Sequence, residues 1–98
     1  MGQNMTRSQT EVERQRIQEV IDKHRPEMAL AGVRRVEFAL GEDSTGDPAV
    51  KVVMVIGKDL QPTKEKIGEL NDFAQILVND IIDLESDFWP YVRTSVEE

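Results

Sequence analysis

The chain has 98 residues, enough for one domain with a modest core that hides roughly 60–70% of the surface exposed when unfolded. Hydrophobic residues make up 39% and charged residues 32%, a globular balance, and no apolar run approaches the roughly 20 residues of a bilayer-spanning helix. The absence of cysteine excludes disulfides, thiolate metal sites and thiol nucleophiles, and a net charge of −7, from 19 Asp and Glu against 12 Lys and Arg, speaks against tracking a phosphate backbone.

Residues 1–9 show no apolar periodicity and read as a disordered N-terminus preceding a single domain over 10–95. Their polarity, with no stretch like that of a signal peptide, points to the cytoplasm. Thr10 and Glu13 have capping-box spacing, so a helix is expected to start at Thr10. Ile17, Val20, Ile21, His24 and Met28 then recur on one helical face. Pro26 lacks an N–H and disfavours helical geometry at Arg25, so the helix is interrupted there. Residues 26–31 restart a short turn, and Gly32 stops it.

Val33–Leu40 alternates Val36, Phe38 and Leu40 against Arg35, Glu37 and Ala39, the pattern of a half-buried strand. Residues 41–48 form a polar connection. Ala49–Ile56 is a second strand with Val50, Val52, Met54 and Ile56 on one face and Val53 and Val55 on the other. A strand apolar on both faces is central or covered twice, the second cover being the first helix or a second copy of the chain. Pro62 opens a long helix running to about Glu85, with an apolar stripe from Ile67 through Leu70, Phe73, Ala74, Leu77, Val78, Ile81 and Leu84. Phe88–Thr94 suits a third strand, confined to an edge or bulge by Pro90, and the residues from Val96 onward are expected to fray. The fold class is α+β: helix–strand–strand–helix–strand, with a three-stranded sheet packed by the long amphipathic helix. The third strand can lie antiparallel beside the first or parallel beside the second.

Three features invite a functional reading beside a structural one. Gly41–Pro48 offers Glu42, Asp43, Ser44, Thr45 and Asp47 as hard oxygen groups within six residues. Gly41 and Gly46 have phosphate-loop spacing, but Asp47 and Pro48 stand where such a loop needs Lys and Ser or Thr. EF-hand spacing is also missing, so turn chemistry accounts for these residues as well as a cation site does. Asp80, Asp83, Glu85 and Asp87 oppose the dipole at the end of the long helix, each at a cost of about 0.3–1 kcal/mol, which a basic partner would relieve. Phe88-Trp89-Pro90-Tyr91 sets aromatic residues beside an edge strand, where they serve first the core of a domain with few aromatics and otherwise anchor an interface. His24, the one histidine, has no nucleophile pattern near it and needs a carboxylate brought in by folding to move protons.

The segments Val36-Glu37-Phe38, Gly41–Val50 and Phe88–Tyr91 resemble a group of small uncharacterised bacterial α+β proteins. In that group a G-E-D-x-x-G-D-P-A stretch joins two strands, and an aromatic-Pro-Tyr end follows a long helix. The resemblance covers about residues 33–92. It implies a partner or accessory role in the manner of toxin–antitoxin pairs, without an assigned activity. The element order also resembles the cytoplasmic domain of cation-diffusion transporters, a likeness of fold alone.

The expectation is a bacterial protein–protein interaction module, not an enzyme and without a cofactor, working as a homodimer. Glu42, Asp43, Asp47 and Asp83 would steer a partner with a basic contact surface, and Trp89 and Tyr91 would anchor it. The alternative is a divalent-cation sensor or small hydrolase using Glu42, Asp43 and Asp47 as ligands. Binding of nucleic acid or membrane is not expected, although an exposed Phe38 or Tyr91 on an open sheet face would point back to RNA.

Overall fold

A computed structural model describes the backbone of residues 2–97 and the side chains of residues 10–97. The order is α1 (Gly2–Lys23), α2 (Arg25–Ala31), β1 (Val33–Glu42), β2 (Pro48–Gly57), α3 (Lys64–Ile82) and β3 (Trp89–Glu97). The expected disorder of residues 1–9 concerns a stretch whose side chains lie outside the described residues. Because α1 starts at Gly2, Thr10 sits inside the helix and is not its cap.

The break between α1 and α2 falls where Pro26 requires it, with Pro26 in the first turn of α2. Gly32 ends α2 at φ 83°, a left-handed conformation that a side chain would strain. The start of α3 corrects the expectation that Pro62 opens it. Thr63 is the N-cap, and its Oγ1 accepts the Lys66 N–H at 3.1 Å. The end of α3 also comes earlier than expected. Asp83 is the C-cap, and Glu85 takes a positive φ of 56° in the turn that follows. Ile67, counted in the apolar stripe, is 47% exposed, so the buried face of α3 is Leu70, Phe73, Leu77 and Ile81.

The strand order is β1-β2-β3. β1 and β2 are antiparallel, from Arg35 opposite Val55 to Glu42 opposite Pro48. β2 and β3 are parallel, from Ala49 opposite Trp89 to Gly57 opposite Glu97, with α3 as the crossover. The doubly apolar β2 is therefore the central strand. β3 is longer than expected. Val96 and Glu97 pair with Ile56 and Gly57, and the Glu97 carboxylate bonds Arg34 and Arg35.

One core joins Ile17, Val20 and Ile21 of α1, Met28 and Ala31 of α2, and the buried face of α3 to Val33, Val50, Val52 and Met54. All three helices thus cover the same sheet face. A register irregularity between Val33 and Arg35 lets both Val33 and Val36 point into this core, although they are three residues apart. The opposite face carries no helix. Val55 is nonetheless buried there, between its strand neighbours Arg35 and Ser95, so α1 is not the second cover that β2's composition suggested.

Candidate functional site

The 43–47 connection is a closed turn with Asp43 at its centre. The Asp43 N–H donates to the Asp47 carbonyl at 2.8 Å, and the Gly46 N–H donates to the Asp43 carbonyl at 3.1 Å. Gly46 takes φ 86°, the left-handed position that closes such hairpins. Asp43 Oδ1 accepts three donors: the Thr45 hydroxyl at 2.7 Å, the Thr45 N–H at 2.9 Å and the Asp47 N–H at 3.0 Å. Asp43 Oδ2 accepts the Tyr91 hydroxyl at 3.1 Å, which ties the loop to β3. The Thr45 hydroxyl, above the other donors, holds the Asp43 carboxyl down at about 2.

Asp43 is thus committed within the molecule. It shapes the loop and positions Tyr91, a different role from steering a partner. The Asp43 and Asp47 carboxylates meet at the Thr45 hydroxyl, 2.7 and 3.1 Å away, but among the described residues no group of three or more acidic or histidine side chains is arranged to hold a metal ion. The cation reading loses its geometric basis.

The same bond raises Tyr91 above the ordinary 10, because the adjacent Asp43 carboxylate opposes a phenolate. A group whose folded value is raised contributes fully below its unfolded value, and that contribution is lost as pH rises through the folded one. The Tyr91–Asp43 tie is therefore expected to hold at neutral pH and to fail in alkali. Tyr91 is the one tyrosine of the chain, so tyrosinate absorbance reads it without overlap. Its midpoint should lie above about 10 and return toward the ordinary value in Asp43→Asn. Identical midpoints would show that the tie does not form.

Around this tie the structure gathers several of the sequence-predicted residues. Asp43, Asp47, Trp89 and Tyr91 line one concavity of about 610 Å³, together with Pro48 and Asp87. Trp89 is 56% exposed and Tyr91 47%, so the aromatic pair lies on the surface and does not fill the core. Phe88 and Val92 turn inward against the core. Glu42 and Asp83 are not among the lining residues. Glu42 belongs to the end of β1, with a carboxylate oxygen near Gly46, and Asp83 is the cap of α3. Asp87 was noticed in the sequence only as part of the acidic helix end. Its place two residues before Trp89, on the approach to an edge strand, is the signal that could have tied it to the aromatic residues.

The acidic helix end has another explanation. Asp80 Oδ2 lies 2.5 Å from His24 Nε2 and 3.6 Å from Lys23 Nζ. This contact with His24, ahead of the Lys23 charge, lowers the Asp80 carboxyl below its ordinary range. Arg16 donates to the Leu84 carbonyl at 2.8 Å and also holds Glu13 at 2.9 Å. Cations of the first helical segment thus offset the C-terminal end of α3, and no partner is required for that. His24 has acquired the carboxylate that proton transfer would need, and the same contact ties the α1–α2 junction to α3. The His24 side chain is 12% exposed, and its buried Nδ1 lies 3.7 Å from a Glu27 carboxylate oxygen, beyond hydrogen-bond distance, with no hydrogen-bond partner.

No family model, no curated protein and no solved structure matches this chain.

Proposed function

We propose that the chain is a protein–protein interaction module that receives a basic segment in the concavity between the 43–47 turn and the start of β3. The observation that carries this reading is the meeting of Asp47 and Asp87 with the exposed rings of Trp89 and Tyr91 around one hollow. An arginine or lysine entering it would meet carboxylates for its charge and an indole face for its flat or methylene portion. Buried aromatic anchors in a charged surround are the usual hot spots of interfaces, and the carboxylates would favour basic partners by steering. The resemblance at Gly41–Val50 is the reason to seek that partner among bacterial proteins of the toxin–antitoxin kind. β3 is an edge strand, and a homodimer would pair along its open side.

The test is affinity purification from the source organism with three baits: wild type, Asp47→Asn with Asp87→Asn, and Trp89→Ala. Asp43 is left intact because its loss would unmake the loop. The expected result is a stoichiometric partner with a basic contact surface that is held by the wild type. Each variant should weaken it, Trp89→Ala by roughly thirtyfold or more if the indole is a hot spot. Partners retained equally by all three baits would overturn the reading.

A further inference from the structure

The helix-free face of the sheet carries a second depression, of about 350 Å³, on the other side of the Asp43–Tyr91 tie. Lys51, Arg93 and Ser44 line it, with the Tyr91 ring. Its position follows from register. Lys51 lies opposite Tyr91 across the β2–β3 ladder, Arg93 is two residues along β3, and all three alternate with core-facing neighbours. Arg93 pairs with Val53, whose other neighbour is Glu37. Glu37 is engaged by Arg35 at 2.9 Å.

Arg14, Lys58 and Lys64 are unpaired cations scattered among the described residues, whereas this depression brings two such cations together. Arg16, Arg25, Arg34 and Arg35 each hold a carboxylate. Among the described residues neither Lys51 nor Arg93 has an ion pair or a side-chain hydrogen bond, although acidic residues outnumber basic ones 19 to 12. The one carboxylate on the rim, Asp43, accepts four hydrogen bonds from within the protein. Two uncommitted cations, a hydroxyl and a half-exposed aromatic ring therefore face one hollow. Asp47, across the Tyr91 wall, is near enough for its charge to act on the Tyr91 phenol, so the hollow tolerates one anionic group at its two cations and opposes a second.

We propose that this depression binds a small organic phosphate, a phosphate group carried on a flat ring. Lys51 and Arg93 take the anionic group, Ser44 donates a hydroxyl, and Tyr91 stacks the ring. The hollow has the volume of a small-ligand site, at the low end of the range of roughly 300–1,000 Å³. The site is distinct from the acidic concavity and shares with it only the Asp43–Tyr91 wall.

The experiment is titration of the isotopically labelled chain with AMP, inorganic phosphate, adenosine and a short oligoadenylate, read by amide chemical shifts. AMP is expected to give saturable shifts centred on Ser44, Lys51, Tyr91 and Arg93, with phosphate and adenosine each weaker. Lys51→Gln with Arg93→Gln should weaken AMP by roughly tenfold to a hundredfold, the worth of one or two charge-assisted bonds. Both residues are exposed, so an unchanged thermal midpoint serves as the folding control. The same variant should keep its basic partner, which separates failure here from failure of the interaction reading. Oligoadenylate should bind no more tightly than AMP, since the surrounding carboxylates oppose further phosphates. No saturable shift with AMP or phosphate, or an unchanged affinity in the double variant, would overturn the proposal. Adenosine binding as well as AMP would overturn the anion assignment. Phosphate binding as well as AMP would overturn the ring contact, and tighter oligoadenylate binding would overturn the choice of a small ligand.

Discussion

Leu77→Ala should lower the stability of the domain by about 2–5 kcal/mol, the range for deleting a buried leucine whose surroundings close in only partly. Leu77 is fully buried, at 0% exposure, in the middle of α3. It belongs to the cluster that joins α1, α3 and the central strand β2, so the space it would vacate opens inside the main core. A domain this size is stable by roughly 5–15 kcal/mol, so the loss would be a large fraction of the total. Urea unfolding checks it. The midpoint should fall while the slope stays near that of the wild type, because the folded and unfolded chains still differ by nearly the same area. Ile67→Ala, ten residues earlier in the same helix at a position 47% exposed, is the control and should shift the midpoint far less. Equal losses at the two sites would mean that the buried face of α3 has been misassigned.

Asp80→Ala is expected to cost about 1–3 kcal/mol at neutral pH, because it leaves a largely buried imidazole without its acceptor. His24 Nδ1 already has no hydrogen-bond partner, and Asp80 is the acceptor at Nε2. Asp80 also receives Lys23 at 3.6 Å, but that lysine is mostly exposed and adds little. The pH dependence has a definite sign. The folded Asp80 carboxyl titrates below its ordinary 3.8, so its contribution is complete above the unfolded value and is lost as pH falls through the lowered folded one. Wild-type stability should therefore drop on acidification below about pH 4 more steeply than that of Asp80→Ala. A double-mutant cycle with His24→Ala isolates the pair from the packing of either side chain. Additive losses, or parallel acid limbs in wild type and Asp80→Ala, would remove this tie from the account of how the helices are held.

Both results bear on the reading of the acidic end of α3. In the sequence, Asp80, Asp83, Glu85 and Asp87 form one group that defies the helix dipole. In the fold they separate into a histidine partner, a helix cap, a left-handed turn residue and a wall of the aromatic concavity. Asp87 is the one of the four that lines the aromatic concavity, while Asp83 caps α3 through its backbone N–H and leaves its carboxylate exposed. Asp43 changes meaning in the same way, from a candidate contact residue to the acceptor around which the loop is built.

What the sequence determined by itself was whatever rests on neighbours a few residues apart. Pro26 and Gly32 bound α2 because ring geometry and left-handed φ are properties of single residues. The alternation along β1 and β2 and the stripe of Leu70, Phe73, Leu77 and Ile81 marked the core face because strand and helix periods are local. The connection at 41–48 was legible as a turn, whereas Trp89 and Tyr91 read equally as core aromatics, and only the fold shows them exposed. The tertiary structure alone decided the order of the strands, the helix-free face, and which charges meet. His24 and Asp80 are 56 residues apart, Arg16 and Leu84 are 68, and Asp43 and Tyr91 are 48. No local period encodes such pairs. They form because the antiparallel β1–β2 hairpin and the parallel return through α3 bring the start of β3 beside the loop, and the packing of α1 against α3 sets cations over the helix end.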